Sequence, residues 1–305
     1  MPTPSGTTFD VKWTRLPVRA RPHRNPLADN DDEHPDCPDD AAASLASAFP
    51  GTPIPAAASS PLSLTHRQED DTLFVDIGCA FAGMLIHLAP IFPSARMLGL
   101  EIRSKVVEFS QRRIEELRAA ASDPTAAAAA HGFRNIWVEQ LNVMKYGARY
   151  FPRSSIDKLF FCYPDPHWKR KNVRRRIVSP TLVHEYAFWL KDDGLVYTVS
   201  DVPELAQWMC ECLDGCPLFE RVVTTTSASA VAAPARDTPR LQLPEEFLKT
   251  YLAGERGARS SAAQENELLK WVVTSSEDAE RAKRKGITPT YSVHRRIHRR
   301  PLTEQ

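Results

Sequence analysis

Short apolar runs alternate with segments of helical spacing from Leu73 onward, and this alternation limits the possible folds more than any other feature. The runs, rich in β-branched and aromatic residues, are LFVDI, RMLGLEI, NIWVEQL, DKLFFCY and GLVYTVS. Between them lie GMLIHLAPIF, RSKVVEFSQRRIEELRAAA, SPTLVHEYAFWL and PELAQWMCECL, with apolar residues three and four positions apart. The pattern predicts an α/β fold with a doubly wound, mostly parallel sheet, helices on both faces, and ligands at the carboxyl ends of the strands.

Composition divides the chain into unequal parts. Residues 1–70 are rich in Pro, Ala, Ser, Asp and Arg and include the acidic block NDDEHPDCPDD, which predicts a mostly disordered extension. Residues 71–300 are predicted to form one domain, and the stretch at about 224–267 is predicted to be an insertion. Residues 301–305 are left as a short tail.

Charge and cysteine usage exclude several classes of protein. The net charge is only +1, so the chain is not a uniformly basic nucleic-acid coat. The six cysteines lie in apolar or helical contexts without a secretory leader, which favours reduced, intracellular thiols. Cys210, Cys212 and Cys216 lack a CxxC spacing and a nearby histidine, so we expect no metal site. No apolar run reaches the roughly 18 residues of a membrane span, so we expect no membrane association.

Two acidic residues mark a cofactor site at the ends of the first two strands. Asp76 lies near the end of the first apolar run, two residues before Gly78, and Glu101 lies near the end of the second run. In doubly wound folds an acidic residue at the second position binds ribose hydroxyls, which favours an adenosine-containing cofactor. Glu101 could instead be a partner for Arg103 or a solvated strand end.

The sequence of the loop between Gly78 and Gly83 indicates which cofactor the chain binds. A nicotinamide enzyme normally seats a pyrophosphate on G-x-G-x-x-G, but here Ala80 replaces the central glycine. Asp76 would also repel a pyrophosphate. S-adenosylmethionine, which has a cationic sulfonium and no phosphate, therefore fits better than NAD, and an NAD-dependent oxidoreductase is the weaker alternative.

The segment FFCYPDPHWKRKNVRRRIVSPTL indicates where the substrate binds. Asp165 lies between Pro164 and Pro166, whose fixed φ angles make a rigid, exposed turn facing the cofactor's reactive end. The aromatic residues His167 and Trp168 are followed by six cations, namely Lys169, Arg170, Lys171, Arg174, Arg175 and Arg176. Cations beside an aromatic ring suit a phosphodiester backbone and a base, although a solvated helix face could carry the same charges.

A second basic cluster near the C-terminus strengthens this interpretation. Its cations are Arg281, Lys283, Arg284, Lys285, Arg295, Arg296, Arg299 and Arg300. Two basic clusters on a cofactor-binding core indicate a nucleic-acid substrate.

These segments resemble the tRNA (guanine-N7)-methyltransferases of the TrmB type, especially their eukaryotic catalytic subunit. The resemblance covers about residues 72–223 well and 272–297 loosely, and it rests on DIGCAFAGML, LGLEIRSKVVEF, LNVMKY, FFCYPDPHWKRK with RRRIVSPTL, YTVSDVPELAQWM and PLFERV. It implies a class I S-adenosylmethionine-dependent methyltransferase with a Rossmann-like, seven-stranded sheet. It also implies methylation of N7 of a variable-loop guanine, position 46, in tRNA.

The resemblance implies a role for individual residues. The cofactor-binding positions are Asp76, Gly78, Glu101, Ile102, Arg103, Asn142, Val143 and Cys162. Asp165 matches the catalytic position, and the substrate-binding set is Lys169, Asp201, Ser276 and Asp278, with Arg170, Lys171, Arg174 and Arg175 from the basic run. A non-catalytic WD-repeat subunit is the implied partner beside tRNA, and the implied location is the nucleus, with the cytoplasm second.

The chain departs from the family pattern at the cofactor loop. Ala80 and Ala82 stand where the family has glycines. We expect the two methyl groups to fit because no phosphate approaches the loop. The alternative is a catalytically weak homologue that binds tRNA as a scaffold subunit.

Overall fold

The computed structural model describes residues 25–28, 72–121, 132–225, 241–254 and 260–298. The seven strands are β1 (Leu73–Ile77), β2 (Arg96–Glu101), β3 (Ile136–Gln140), β4 (Ile156–Cys162), β5 (Leu190–Ser200), β6 (Phe219–Thr224) and β7 (Thr290–Arg296). The helices are α1 (Gly83–Leu88), α2 (Ser104–Ala121), α3 (Val143–Tyr150), α4 (Leu182–Trp189), α5 (Pro203–Asp214), α6 (Glu245–Ala253), α7 (Ala262–Thr274) and α8 (Glu277–Arg284). Two short 3-10 helices cover Pro26–Ala28 and Arg170–Arg175.

All seven strands form one sheet in the order β3-β2-β1-β4-β5-β7-β6. Strands β1 to β5 run parallel, while β7 lies antiparallel between β5 and β6. The predicted doubly wound, mostly parallel sheet is therefore confirmed. The strand order reverses between β1 and β4, and the carboxyl ends of these two strands border the crevice in which such folds bind ligands.

Alternation along β1 shows how the sequence builds two cores. Leu73, Val75 and Ile77 lie in one apolar cluster together with residues of α3, α4 and α5. Phe74 belongs to the other cluster, with residues of α1, α2, α6 and α7, and its ring meets that of Phe160 edge-on at 6.2 Å. Because successive strand residues point to opposite faces, a strand such as β1 that is buried at every position requires helices on both sides of the sheet.

The described part of the predicted insertion contributes to the second core. Leu248 of α6 is buried there, as is Leu268 of α7, one residue beyond the predicted end of the insertion. The Lys158 ammonium of β4 donates hydrogen bonds to Tyr251 Oη and Glu265 Oε2, both at 3.0 Å, in a buried ion-pair network. Helices α6 and α7 therefore help to fold the domain, and α7 brings its C-terminal end to the ligand-binding edge of the sheet.

Three predicted regions fall wholly or partly outside the described residues. The disorder predicted for residues 1–70 can be compared with the structure only at residues 25–28. Residues 226–240 and 255–259 of the predicted insertion, and the tail 301–305, also lie outside them. In the part of the chain that the structure describes, none of the helices combines the length and the apolar character needed to cross a bilayer.

Candidate active site

A cavity of about 300 Å³ opens at the carboxyl ends of the parallel strands. All eight residues predicted to bind the cofactor line it, namely Asp76, Gly78, Glu101, Ile102, Arg103, Asn142, Val143 and Cys162. Asp165, Arg175, Ser276 and Asp278 of the predicted catalytic and substrate sets line the same cavity. The fold therefore joins both predicted sites into one, with a volume at the lower end of the range for small-molecule pockets.

Asp76 is the most strongly perturbed carboxyl group of the cavity. It is almost completely buried, and its Oδ1 has no hydrogen-bond partner among the described residues. Burial, reinforced by the negative charge of Glu101, raises the pKa of Asp76 to about 7. An unpaired buried oxygen on a residue that lines the cavity is costly for the protein alone, and a cationic ligand would compensate for that cost.

Glu101 pairs with Arg103, which was one of the alternatives for this residue. Arg103 Nε and the Arg103 backbone N donate to Glu101 Oε1, and Nη2 donates to Oε2, all at 3.0 Å. Burial acts against the charge of Arg103, but these hydrogen bonds and the charges of Glu101 and Asp165 raise its pKa. Each carboxylate oxygen can accept more than one hydrogen bond, so the pairing is compatible with ribose binding.

The loop after β1 alternates residues of positive φ with ordinary ones. Gly78, Ala80 and Ala82 have φ values of 80°, 46° and 59°. The left-handed conformation costs roughly 1–2 kcal/mol for a residue with a Cβ atom but little for glycine. The two alanines that depart from the family pattern thus occupy positions where glycine is favoured, and the Ala82 methyl group is fully buried.

Pro26 is a cavity residue that the sequence did not predict. The Asn142 side-chain amide donates to the Pro26 backbone oxygen at 2.6 Å, which ties residues 25–28 to the end of β3. Pro26 also lines the cavity. Pro26 lies in a Pro-rich stretch of sequence without hydrophobic periodicity, so no local pattern predicted that it would line the cavity.

The loop after β4 carries Asp165 between two residues of positive φ, Tyr163 (52°) and His167 (45°). Tyr163 Oη donates to Val273 O of α7 at 2.6 Å, and Arg176 Nε donates to Pro166 O at 2.9 Å. Asp165 itself is half-buried rather than exposed, because α7 and α8 cover this edge of the sheet. The rigid turn predicted from the prolines is therefore reinforced by contacts from distant segments.

Three carboxylates from distant segments influence one another beside the cavity. Asp165 follows β4, Asp201 follows β5 and Asp278 lies in α8. Burial raises the pKa of Asp278, and the charges of Asp201 and Asp165 add to this effect, while Arg281 and Arg103 oppose it. The fold thus brings three carboxylates together beside the cavity, and two guanidinium groups oppose their charge.

The predicted basic residues divide between the cavity and its surroundings. Arg175 lines the cavity, whereas Lys169, Arg170, Lys171 and Arg174 are exposed on or beside the 3-10 helix and do not line it. Asp201 does not line it either. We call the four exposed cations, Lys169, Arg170, Lys171 and Arg174, the basic rim.

The C-terminal basic cluster is split by the fold. Arg281 of α8 lines the cavity, a role that the sequence did not single out, and Lys283, Arg284 and Lys285 are exposed at the end of the same helix. In contrast, Arg295 pairs with Glu220 on the neighbouring strand at 2.9 Å, and Arg296 is buried. These two arginines are engaged within the protein, so the exposed cations of this cluster among the described residues lie in α8 and at Lys285.

Cys210 approaches groups that could in principle ligate a metal. Its sulfur, an oxygen of Asp214 and a nitrogen of His294 lie within 4.8 Å of one another. Arg221 binds both oxygens of Asp214, and His294 Nε2 lies 3.1 Å from Oδ1. The carboxylate is therefore already engaged in an ion-pair network, which accounts for this grouping without a metal.

Comparisons with known proteins agree on one family. A family model described as "Putative methyltransferase" matches residues 70–238. A tRNA (guanine-N(7)-)-methyltransferase of Bos taurus is 42% identical over 226 residues, covering 70% of this chain and 78% of that protein. The enzyme of the same name from Zea mays is 34% identical over 279 residues, or 92% of this chain and 91% of that protein.

Solved structures give a weaker match. A SAM-dependent O-methyltransferase from Thermotoga maritima superposes on 77% of this chain and 62% of its own, with 15% identity and a TM-score of 0.41. A TM-score this low supports no functional conclusion, so the assignment to a family rests on the sequence relatives.

Proposed function

The chain belongs to the tRNA (guanine-N7-)-methyltransferase family, and we propose that it methylates N7 of a variable-loop guanine in tRNA. It is an S-adenosylmethionine-dependent methyltransferase. The observation that carries the proposal is that one cavity is lined both by Asp76 and Glu101, at the ends of β1 and β2, and by Asp165 and Asp278. This one cavity would therefore hold both the cofactor and the target guanine.

The residues of the cofactor end suit S-adenosylmethionine. The unpaired, buried Asp76 would offset the positive charge of the sulfonium and amino groups, and Glu101 would accept hydrogen bonds from the ribose. Asn142 and Val143 border the same end of the cavity. When bound, S-adenosylmethionine supplies an activated methyl group for attack by a nucleophile.

The substrate end suits guanine for a chemical reason. Guanine N7 has a lone pair and no proton, so the reaction needs no general base. The purine gains positive charge as N7 forms its new bond, and the charge of Asp165 would stabilise that state more than the ground state. Asp165 is the proposed catalytic residue.

Recognition of the base would use the other carboxylates beside Asp165. The Watson–Crick edge of guanine presents the N1–H and N2–H₂ donors, which pair with carboxylate oxygens. Adenine presents an acceptor at N1 and would leave a carboxylate facing a lone pair. Asp201 and Asp278 would therefore select guanine and orient its N7.

The basic rim, together with α8, would bind the tRNA backbone. These cations lie outside the cavity but on residues that directly follow or flank its lining. Phosphate contacts of this kind position the nucleic acid and release counterions, whereas they carry little sequence information. Trp168, exposed beside the rim, offers a stacking surface for a base.

A second candidate function is a tRNA-binding scaffold with weak catalysis. The observation in its favour is the backbone strain of Ala80 and Ala82 in the cofactor loop. Calorimetric titration with S-adenosylmethionine separates the two candidates, because a scaffold would keep tRNA affinity without binding the cofactor.

We also propose a WD-repeat subunit as partner and the nucleus, with the cytoplasm second, as location. Both proposals are supported by the resemblance of the motifs to the eukaryotic catalytic subunit. Size-exclusion chromatography of the chain co-expressed with a WD-repeat subunit tests the first, and imaging of a fluorescent fusion tests the second. A WD-repeat subunit that elutes separately, or a fusion confined to the cytoplasm, would contradict the respective proposal.

The function is tested by methylation of a defined substrate. Unmodified tRNA and labelled S-adenosylmethionine are incubated with the chain, with and without a WD-repeat subunit, and the methylated base is mapped. We expect label at a variable-loop guanine and none in a tRNA carrying adenine at that position. Label on another base, or none under either condition, would refute the proposal.

A further inference from the structure

The two strained alanines of the cofactor loop raise the question of what holds them in place. Ala80 and Ala82 flank Phe81, and both have the positive φ that residues with a Cβ atom avoid. Backbone bonds from Gly78 and Cys79 to Leu100 O, at 2.8 and 3.2 Å, fix the beginning of the loop, and Ala82 N donates to Cys79 O at 2.9 Å across its middle. The Phe81 carbonyl, which lies between the two strained residues, is bound by a side chain from outside the loop.

One face of α2 provides contacts to this part of the loop. Arg113 Nη1 donates a hydrogen bond to Phe81 O at 3.0 Å. Ser110 Oγ lies 3.1 Å from Ala80 O, although its hydroxyl also bonds Val106 O at 2.8 Å within its own helix. The Phe109 ring meets the Phe81 ring edge-on, with centroids 5.5 Å apart.

Arg113 makes the strongest of these contacts. Its hydrogen bond is charge-assisted, and such bonds are roughly twice as strong as neutral ones. It acts on the peptide that joins Phe81 to Ala82, directly between the two strained residues. Ser110 is shared with its own helix, so its contribution to the loop is smaller.

We propose that Arg113 is a positioning residue that holds the Ala80–Ala82 loop in the conformation that binds S-adenosylmethionine. The inference rests on the cofactor assignment made above and not on the identity of the methylated base. Arg113 replaces by a side-chain contact what glycines would provide by conformational freedom. Removal of the Arg113 side chain should therefore weaken cofactor binding more when residues 80 and 82 are alanine than when they are glycine.

The test compares Arg113→Ala in two backgrounds. In the natural background we expect the Kd for S-adenosylmethionine, measured by calorimetry, to rise about tenfold, close to the loss of one hydrogen bond to a charged group. In an Ala80→Gly, Ala82→Gly background we expect the same substitution to raise Kd less than about threefold, because glycine adopts positive φ without support. Arg113→Lys should restore part of the affinity.

Arg112→Ala is the matched control. Arg112 precedes Arg113 on the same helix but is exposed and pairs with Glu108 one turn earlier. We expect this variant to bind the cofactor with unchanged Kd. Hydrogen exchange of the cofactor-free protein gives a second readout: the Phe81, Ala82 and Gly83 amides should exchange faster in Arg113→Ala and not in Arg112→Ala.

Three results would overturn the inference. The first is a Kd for Arg113→Ala within twofold of the unsubstituted protein, with unchanged loop exchange. The second is an equal loss in both backgrounds, which would show that Arg113 supports the fold in general. The third is a failure of the unsubstituted chain to bind S-adenosylmethionine, and only this result would overturn the proposed function as well. If Arg113→Ala does not fold, Arg113→Lys and the glycine background are compared by the same measurements.

Discussion

The loops after β1 and β4 both contain two residues other than glycine with positive φ, but they are stabilised differently. In the cofactor loop these residues are Ala80 and Ala82, and the supporting contacts come from α2. In the substrate loop they are Tyr163 and His167, and Tyr163 itself donates a hydrogen bond to α7. The residues of positive φ in the loop after β1 thus have small side chains, whereas the loop after β4 is anchored by the large side chain of one such residue.

The two ends of the cavity also differ in charge. At the cofactor end, Asp76 is buried with an unpaired oxygen, and its pKa lies near neutrality. Around Asp165 and Asp278 the carboxylate charges are opposed by Arg281 and by Arg103, which also binds Glu101, and the basic rim is exposed to solvent. We therefore expect cofactor binding to depend mainly on pH and tRNA binding to depend mainly on salt.

The largest effect is expected for Asp165→Asn. This change keeps the size of the side chain but removes the charge that would stabilise the methylated purine, so kcat should fall by about 10²–10³-fold. The Kd for tRNA, measured by filter binding, should stay within about twofold. Asp193→Asn, at an exposed position of β5 that also has positive φ, is the control and should leave kcat unchanged. Equal losses of tRNA binding and turnover would contradict the catalytic role of Asp165.

Neutralising the basic rim should have the next largest effect. Replacing Lys169, Arg170, Lys171 and Arg174 by Gln should weaken tRNA binding about 100-fold at low salt and reduce the slope of log K against log salt by about 2–4. The same change at Arg112 and Lys249, exposed cations of α2 and α6, is the control. An unchanged salt slope would show that the rim does not contact phosphates.

A smaller effect is expected from pH at the cofactor end. Because the folded protein holds a proton on Asp76 up to about pH 7, a cationic cofactor must bind with loss of that proton. The affinity for S-adenosylmethionine should increase up to about tenfold for each unit by which the pH is raised toward 7, and it should level off above pH 7. Calorimetry between pH 5.5 and 8.5 measures this rise, and Asp76→Asn should abolish it.

Protein stability should change with pH in the opposite direction. Asp76 has a raised pKa in the folded protein and its ordinary value in the unfolded chain, so its contribution is fully present below the unfolded pKa and is lost as the pH rises through about 7. The free energy of unfolding of the cofactor-free protein should therefore fall less between pH 4 and 7 in Asp76→Asn. An identical pH dependence of unfolding in both proteins would contradict the assignment.

The smallest effect is expected for Tyr163→Phe. Loss of the hydroxyl removes the 2.6 Å bond to Val273 O and loosens the link between the Asp165 loop and α7, so kcat should fall about 3- to 10-fold. The Kd for S-adenosylmethionine should not change, since the cofactor loop is supported by α2. A rise in that Kd equal to the fall in kcat would show that the two loops are not independent.

The strands and the central carboxylates could be predicted from sequence because their signals are local. A run such as LFVDI fixes a buried strand, and parallel strands bring Asp76, Glu101 and Asp165 to one edge of the sheet whatever lies between them. The prolines beside Asp165 likewise predict a turn, although they could not show that α7 and α8 half-bury it. The family resemblance added Ile102, Asn142 and Val143, which have no chemical signal of their own.

The remaining site residues could not be predicted because their positions depend on long-range packing. Pro26 reaches the cavity through one contact with Asn142, from a segment whose composition predicts disorder. Arg113 looks like an ordinary partly exposed arginine of an amphipathic helix until the strained loop is placed beside it. Arg281 and Arg295 belong to one basic cluster in the sequence. In the folded protein Arg281 lines the cavity, whereas Arg295 pairs with Glu220, and the local sequence does not distinguish these two positions.

The central claim, that the cavity places N7 of one guanine for methyl transfer, is tested most directly with tRNA carrying 7-deazaguanine at the variable-loop position. This base keeps the Watson–Crick edge that Asp201 and Asp278 would recognise but has carbon in place of N7. We predict that the modified tRNA binds within about twofold of the unmodified tRNA and accepts no labelled methyl group from S-adenosylmethionine. Methyl transfer to the modified tRNA at the normal rate would contradict the account.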